Sequence, residues 1–188
     1  MPRTARVLMP NTPHYIYQCG HNRGQVFFEN NDYQQYLYNL NECKNIYNIR
    51  IYCYCLLYNQ IHLLIEPDRN AKNISNFMKR VSGRQSRYTN VRYSRSGSLW
   101  DGRFKSKPVD NDDLIKAYWC YINYLPLHSG LIKNPESYSW SSLAYHKGHR
   151  QHDIIDNITR VDQHSFTYNE QNNFGFNLIR AVAGENFS

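Results

Sequence analysis

The sequence lacks any apolar run that approaches the roughly 20 residues needed to cross a bilayer. Residues 1–6 also lack the apolar stretch of a signal peptide. These two absences argue against a membrane protein and a secreted one, so we expect a cytoplasmic location. With 188 residues, 41% of them hydrophobic, the chain is long enough for one domain with a sizeable core. Two large domains are not expected.

Cysteine is scarce and is not spaced for zinc. The chain has five cysteines, an odd set without the C-x-x-C spacing of zinc sites. Cys53 and Cys55 are two apart in a predicted strand, so both face the same layer. We therefore expect reduced thiols, in the core or half-buried.

Acidic residues are almost missing from residues 79–107. This segment has nine Lys and Arg residues and one acid, Asp101, whereas the net charge of the whole chain is +7. Aromatic residues lie among the cations, including Trp100 and Phe104. Such a patch is typical of phosphate neutralisation combined with base stacking. A solvated basic face that binds anions generally is the alternative, and packing explains Trp100 and Phe104 equally well.

Hydrophobic periodicity predicts a mixed fold. The expected strands cover residues 14–19, 49–57, 61–65 and 103–109. Helices are expected over residues 30–47, from 75 to near Gly83, and from 110–113 to a limit at Pro126, with a polar loop over 88–98. The order predicts an α+β fold: a ferredoxin-like split βαβ with an antiparallel sheet, helices on one face, and an additional C-terminal helix carrying the tyrosine. We assign residues 1–150 to this domain and 151–188 to a polar, loosely attached tail.

Residues 54–67 predict a strand, a turn and a second strand. Because side chains alternate along a strand, Gln60 and His62 share one face and Ile61 and Leu63 share the other. His62 is thereby presented as a metal-capable side chain beside a polar neighbour. On this motif alone, a histidine held by a backbone carbonyl near a strand end explains the pattern equally well.

The last predicted helix carries Leu114, Tyr118, Tyr121 and Leu125 at spacings of 4, 3 and 4. These side chains stack on one helix face, which must pack against the sheet. In a ferredoxin-like arrangement, a tyrosine hydroxyl could then approach the strand of His62 and act as a nucleophile. Ordinary core packing of the two tyrosines is the alternative that remains open.

Residues 54–64 resemble the motif of the single-tyrosine transposases of the HUH class, in which two histidines flanking an apolar residue present their imidazoles to a divalent cation. Further blocks are similar to the branch called REP-associated tyrosine transposases, which is IS200-like. They run in order between about Pro10 and Tyr145 and cover residues 10–14, 20–23, 82–85, 99–106 and 138–142.

The resemblance implies cleavage and rejoining of single-stranded DNA beside a hairpin, through a tyrosine linked to the 5′ phosphate. It places the nucleophile at Tyr121 and a Mg²⁺ or Mn²⁺ ion at His62, with Gln60 in support. The implied partner is the hairpin DNA of repetitive palindromic elements, bound by a monomer or a dimer. The candidate DNA-binding residues are Arg23, Arg84, Arg87, Arg103, Lys105 and Lys107.

Two departures from the family pattern concern the chemistry. Gln60 replaces the first histidine, and Leu125 occupies a position where the family usually has an amide side chain one turn beyond the tyrosine. An amide oxygen binds a hard cation more weakly than imidazole in most settings, and leucine cannot bind one. Glu66 lies on the same strand face as His62 and is a further candidate.

Three functions therefore stay open: a weakly active DNA-strand transferase, a decayed relative that only binds DNA, and a tyrosine-rich protein without a nucleic-acid role.

Overall fold

The fold is built on one four-stranded antiparallel sheet. The computed structural model describes residues 6–146 and 154–159. The strands are β1 (His14–Cys19), β2 (Ile49–Leu57), β3 (Gln60–Pro67) and β4 (Lys105–Pro108), in the order β2-β3-β1-β4. The helices are α1 (Asn30–Tyr47), α2 (Lys72–Arg92), α3 (Asp112–His128) and the short α4 (Leu143–His146). This confirms the predicted α+β fold, with α3 as the added helix that carries the tyrosines.

Local sequence signals explain where α1 begins and ends. The Asp32 carboxylate accepts hydrogen bonds from the backbone N–H groups of Phe28 (2.7 Å) and Glu29 (3.1 Å), which ties the first turn to the chain before it. The helix ends at Tyr47, and the next residue, Asn48, adopts a left-handed conformation with φ 49°. Asparagine tolerates this conformation better than most residues, so β2 can start at once.

The two helices of the split βαβ unit, α1 and α2, cover one face of the sheet as predicted, and the additional helix α3 covers the other. Ile16, Ile61 and Leu63 point into a core shared with α1 and α2. Tyr15 and Leu64, on the opposite face, belong to a second core formed with α3. On the α3 side, most of the strand residues that alternate with the first apolar set are also apolar or aromatic, and the polar Gln60, His62 and Glu66 of β3 are buried among them.

Two helix ends differ from the prediction. The helix expected to stop near Gly83 continues to Arg92, because Gln85 and Thr89 are buried one and two turns beyond the buried Val81. Gly83 is exposed and has no contact that requires glycine. Pro126 lies inside α3, which ends two residues later at His128, so it costs the helix little near its end.

The two aromatic side chains whose role was left open are packed, and the cysteines lie where they were expected. Trp100 and Phe104 are buried in the core with α1 and α2, so the packing alternative holds for both. The indole N–H of Trp100 donates to the Ser82 carbonyl at 3.0 Å. All five cysteines are free thiols, three buried and two half-buried, as predicted.

Part of the predicted tail packs on the domain. Ile154 and Ile155 are buried in the core of α1 and α2, and the Asp156 carboxylate accepts from Lys44 Nζ and from the Ile51 N–H, both at 2.8 Å. The rest of residues 151–188 lies outside the described part of the chain, and the boundary at 150 stays a prediction. Within the described ranges, no helix has the length and apolar character to span a membrane.

Candidate active site

The residues predicted to carry chemistry meet on the sheet face that α3 covers. In the antiparallel register, His62 on β3 is opposite Tyr17 on β1, and Gln60 is opposite Cys19. Opposed residues of neighbouring strands lie on the same face. The α3 side of the sheet therefore presents Gln60, His62, Tyr15 and Tyr17 together.

His62 is completely buried, with 0% of its surface exposed. Its Nδ1 shares a hydrogen bond of 2.8 Å with the hydroxyl of Tyr15. The ring of Tyr17 lies 5.1 Å from the imidazole between centroids. Tyr15 thus fixes the ring orientation of His62, and with Nδ1 engaged, metal coordination would use Nε2.

Tyr121 on α3 packs against this histidine. Its ring contacts His62 edge-on at 6.1 Å between centroids and contacts Tyr15 edge-on at 6.0 Å. Tyr118, one turn earlier, stacks on Tyr15 at 4.9 Å. The helix and the strand hairpin, predicted separately, thus bring a phenol and an imidazole together on one side of the sheet. Only 1% of the surface of Tyr121 is exposed, so the ring is enclosed in this structure.

The helix start that positions Tyr121 follows from the sequence. The Asn111 side chain accepts hydrogen bonds from the N–H groups of Asp113 (2.8 Å) and Leu114 (3.2 Å). Asp112 and Asp113 add negative charge in the first turn, where the helix dipole is positive. The cluster at residues 110–113 was the sequence signal for this start, and the structure confirms it.

The metal-binding donors are few. Gln60 and His62 share a face, but Leu125 is packed hydrocarbon in the core under α3. Glu66 is engaged elsewhere: its carboxylate forms an ion pair with Arg50 and accepts from the Tyr52 hydroxyl at 2.8 Å. Among the described residues, no group of three or more His, Cys, Asp or Glu side chains could hold a metal ion. One imidazole and one amide fit only a weak site that DNA phosphate and water would have to complete.

The candidate DNA-binding residues do not share one face. Lys105 and Lys107 on β4 are opposite Tyr17 and Tyr15, which places them on the α3 side, and Lys105 Nζ lies 5.5 Å from the centre of the Tyr17 ring. Arg84 and Arg87 are on α2, across the sheet. The remaining two candidates are exposed in loops, Arg23 in the turn after β1 and Arg103 before β4.

Sequence reasoning missed Tyr15 and Tyr17, the residues that surround His62. Their alternation in β1 was visible, but their proximity to His62 depends on β1 being the neighbour of β3. The ferredoxin-like fold was predicted, but its strand order was not worked out. Applying that order to the tyrosines of β1 would have found both residues.

Comparison with known proteins gives a family match and a fold match. The family model described as "Transposase IS200 like" matches residues 12–124. The chain is also similar to the solved structure of a REP-associated tyrosine transposase bound to a REP hairpin, with a TM-score of 0.68 and 14% sequence identity. That match covers 84% of this chain and 95% of the other. At this identity the structural match shows a shared fold.

A second solved structure, a putative transposase from Deinococcus radiodurans, is 14% identical with a TM-score of 0.44. The match covers 61% of this chain and 92% of that one. No curated protein sequence matches this chain significantly.

Proposed function

Because this chain belongs to the IS200-like transposase family, we propose that it binds hairpin or single-stranded DNA and cuts and rejoins the strand through Tyr121. The observation that carries the proposal is the edge contact of Tyr121 with His62 at 6.1 Å. A nucleophile and the histidine of the family motif come from segments almost 60 residues apart, yet they meet on one face. Lys105 and Lys107 lie along the same face, where cations favour a DNA phosphate.

The proposed chemistry is a transesterification. The Tyr121 Oη attacks a backbone phosphorus, the bond from that phosphorus to the 3′ oxygen breaks, and the departing oxygen gains a proton while the phenol loses one. The DNA is then joined to the enzyme through its 5′ phosphate. Attack by the 3′ hydroxyl on this phosphotyrosine reverses the step, so no nucleotide cofactor is consumed.

IS200-like transposases generally depend on a metal. We propose that His62, through Nε2, and Gln60, through its amide oxygen, hold Mg²⁺ or Mn²⁺ here. The bound ion would polarise the target phosphate and stabilise the charge that develops on it. Tyr15 holds the imidazole in one orientation for that role through its 2.8 Å hydrogen bond.

The enclosed position of Tyr121 adds a requirement. With 1% of its surface exposed, the phenol meets a phosphodiester only after α3 or the side chain moves. The proposed enzyme is therefore closed in this structure and opens when DNA binds.

A DNA-binding protein without cleavage is the second candidate. Gln60 and Leu125 favour it, because both departures from the family pattern lie at positions expected to bind the metal, and neither lies on the basic surface. The buried position of Leu125 excludes a ligand one turn beyond Tyr121. The hairpin DNA of repetitive palindromic elements is the proposed partner in either case. A cytoplasmic location and the choice between monomer and dimer stay predictions.

One experiment separates the two functions. The purified protein is incubated with Mn²⁺ and a pool of 3′-labelled oligonucleotides, each with one hairpin and randomised single-stranded arms. The proposal expects a labelled adduct that survives SDS and is absent in Tyr121→Phe. Tyr118→Phe is the matched control, since it removes a neighbouring hydroxyl and should keep the adduct.

The outcomes are distinct. Hairpin binding without an adduct, with an adduct appearing in Gln60→His, identifies a decayed enzyme. An adduct that persists in Tyr121→Phe overturns the assignment of the nucleophile. Absence of binding to every hairpin at low salt overturns both candidate functions.

A further inference from the structure

The segment at residues 138–142 closes the outer edge of the sheet. β2 is an edge strand in the order β2-β3-β1-β4. The Leu56 N–H donates to the Trp140 carbonyl at 2.9 Å, and the Ser142 N–H donates to the Tyr54 carbonyl at 2.9 Å. Cys55 and Ser141 form an antiparallel bridge between these contacts. The segment thus pairs with β2 as a very short fifth strand and satisfies backbone groups that an edge leaves open.

Ser142 extends this contact to α3. Its side chain is fully buried, and its Oγ accepts from the Tyr54 N–H at 3.0 Å. The same hydroxyl donates to the Asn123 amide oxygen at 2.8 Å. Asn123 is also fully buried, and its Nδ2 donates to the Trp119 carbonyl at 3.1 Å. A chain of buried hydrogen bonds therefore runs from the backbone of β2 through Ser142 into the middle of α3.

The two ends of this series of hydrogen bonds lie beside the candidate active site. Asn123 follows Tyr121 by two residues on α3. At the other end, Tyr54 precedes Cys55, which is opposite His62 in the register of β2 and β3. These hydrogen bonds, called the Ser142–Asn123 bridge below, therefore link the helix that carries the phenol to the strand next to the imidazole.

We propose that Ser142 and Asn123 are positioning residues, which set the place of α3 along the sheet so that Tyr121 meets His62. The apolar side chains under α3 hold the helix down, but apolar packing is non-directional and permits small shifts. A buried hydrogen bond between two fixed groups has a preferred length and direction. This inference rests on the proposed function for its catalytic consequence, while the geometric part concerns the folded chain alone.

Asn123 is not a substitute for the amide that the family usually has at the position of Leu125. Its oxygen accepts from Ser142 and its nitrogen donates to Trp119, so both ends of the amide are committed to the bridge. The positioning role therefore accounts for a fully buried amide that metal binding would leave unexplained.

The first test measures geometry and needs no activity. The Cε1–H resonance of His62 is sensitive to the ring of Tyr121, so it reports their relative position. It is assigned by its loss in His62→Gln. We expect this resonance to move in Ser142→Ala and in Asn123→Ala. Ser141→Ala is the matched control, because the Ser141 hydroxyl contacts only the Tyr138 carbonyl, at 3.4 Å, among the described contacts. It should leave the resonance in place.

The second test measures the single-turnover rate of adduct formation at saturating hairpin DNA. Misplacement of reacting groups by about 1 Å costs on the order of 100-fold. We expect a fall of about ten- to 100-fold in Ser142→Ala and Asn123→Ala, with the dissociation constant for DNA changed less than about threefold. A purely structural role would instead lower melting temperature and binding together, and leave the rate of the folded fraction unchanged.

The outcomes separate this inference from the proposed function. An unmoved His62 resonance in both folded variants overturns the positioning role, whatever the activity. Should Ser142→Ala not fold, Asn123→Ala decides, since it keeps the pairing of Ser142 with β2 and removes the link to α3 together with the Asn123–Trp119 hydrogen bond inside that helix. If the wild-type protein forms no adduct and the His62 resonance still moves in Ser142→Ala, the proposed cleavage is overturned. The positioning role of Ser142 is supported in that case.

Discussion

His62 is enclosed by tyrosines from two layers of the fold. Tyr15 and Tyr17 come from the neighbouring strand, and Tyr121 comes from the helix above. The rings exclude water from the imidazole, which strengthens the Tyr15 hydrogen bond compared with the same bond in solvent. The two tyrosines therefore have different roles: Tyr15 fixes the orientation of the histidine, whereas Tyr121 is the proposed nucleophile.

Tyr15→Phe tests this division of roles. The change removes the 2.8 Å hydrogen bond to His62 Nδ1 and leaves a buried polar group unsatisfied, so we expect a loss of about 1–3 kcal/mol in the free energy of unfolding. Loss of such an outer contact typically costs about ten- to 100-fold in metal affinity or activity. Urea unfolding and the Mn²⁺ dependence of the adduct rate measure the two effects.

Tyr52→Phe is the matched control for that change. It removes a hydrogen bond of equal length to Glu66, away from the His62 cluster. It should lower stability without changing the Mn²⁺ midpoint, which is the Mn²⁺ concentration that gives half of the maximal adduct rate. Equal Mn²⁺ midpoints for Tyr15→Phe and the wild type would contradict the role given to Tyr15.

At the scale of single residues, the sequence predicted which side chains share a strand face but not how completely α3 covers that face. Alternation along β3 correctly separated Gln60 and His62 from Ile61 and Leu63. It could not show that His62 is fully buried, because burial depends on α3 lying on that face. The long apolar run of β2 was a usable signal, since a strand buried on both faces shows no alternation.

At the scale of elements, α4 connects the tyrosine helix to β2 through His146. The His146 Nε2 donates to the Tyr52 carbonyl at 3.1 Å, and its ring meets Trp119 of α3 edge-on at 4.9 Å. Burial lowers the pKa of His146 from its ordinary 6.5 to about 4, although the hydrogen bond to Tyr52 opposes the shift. The histidine is therefore neutral in the folded protein at neutral pH.

This shift predicts a loss of stability in mild acid. Between about pH 6.5 and 4 the unfolded chain binds more protons at His146 than the folded chain, so the free energy of unfolding falls as the pH is lowered through that window. His146→Gln keeps an N–H donor without a titrating ring, and should show a smaller fall.

Urea unfolding at a series of pH values from 4 to 8 measures the effect. His21→Gln is the control, because His21 is exposed and makes no contact with α3 or α4 among the described contacts; its profile should match the wild type. If the free energy of unfolding falls with pH equally steeply in His146→Gln and in the wild type, the role given to His146 is contradicted.

Element boundaries depended on whether local signals agreed with tertiary packing. The bounds of α1 follow from capping residues and an apolar stripe that the core uses directly. The end of α2 was wrong because Gly83 normally disfavours a helix interior, by about 1 kcal/mol relative to alanine. Burial of Gln85 and Thr89 beyond it outweighs that cost, and no local pattern shows the partner that buries them.

At the scale of the whole molecule, the positive charge is divided between the two faces of the sheet. Lys105 and Lys107 lie on the α3 side, whereas Arg84 and Arg87 are on α2. The sequence grouped them because they are close in the chain. A DNA strand that reaches Tyr121 must approach the α3 side, so the two sets are expected to contribute unequally to productive binding.

Salt dependence distinguishes the two sets. Each phosphate contact that is lost lowers the slope of log affinity against log salt by about 0.7 to 0.9. Lys105→Ala should show this decrease and weaken binding to all hairpin sequences alike, and Arg84→Ala should show a smaller one. Fluorescence anisotropy with a labelled hairpin between about 50 and 300 mM salt measures the slopes.

Lys133→Ala serves as the control for salt dependence. Lys133 is exposed and outside the basic segment of residues 79–107, so its removal should leave the slope close to the wild-type value. A change confined to Arg84→Ala would place the DNA on the α2 side and away from Tyr121.

The most direct test of the central claim identifies the amino acid joined to DNA. The protein is incubated with hairpin DNA and Mn²⁺, digested with nuclease and protease, and analysed by mass spectrometry for tyrosines that carry a 5′-linked nucleotide. The account predicts the modification on Tyr121 alone. A nucleotide on Tyr118 or Tyr124, or none on a protein that binds the hairpin, would contradict it.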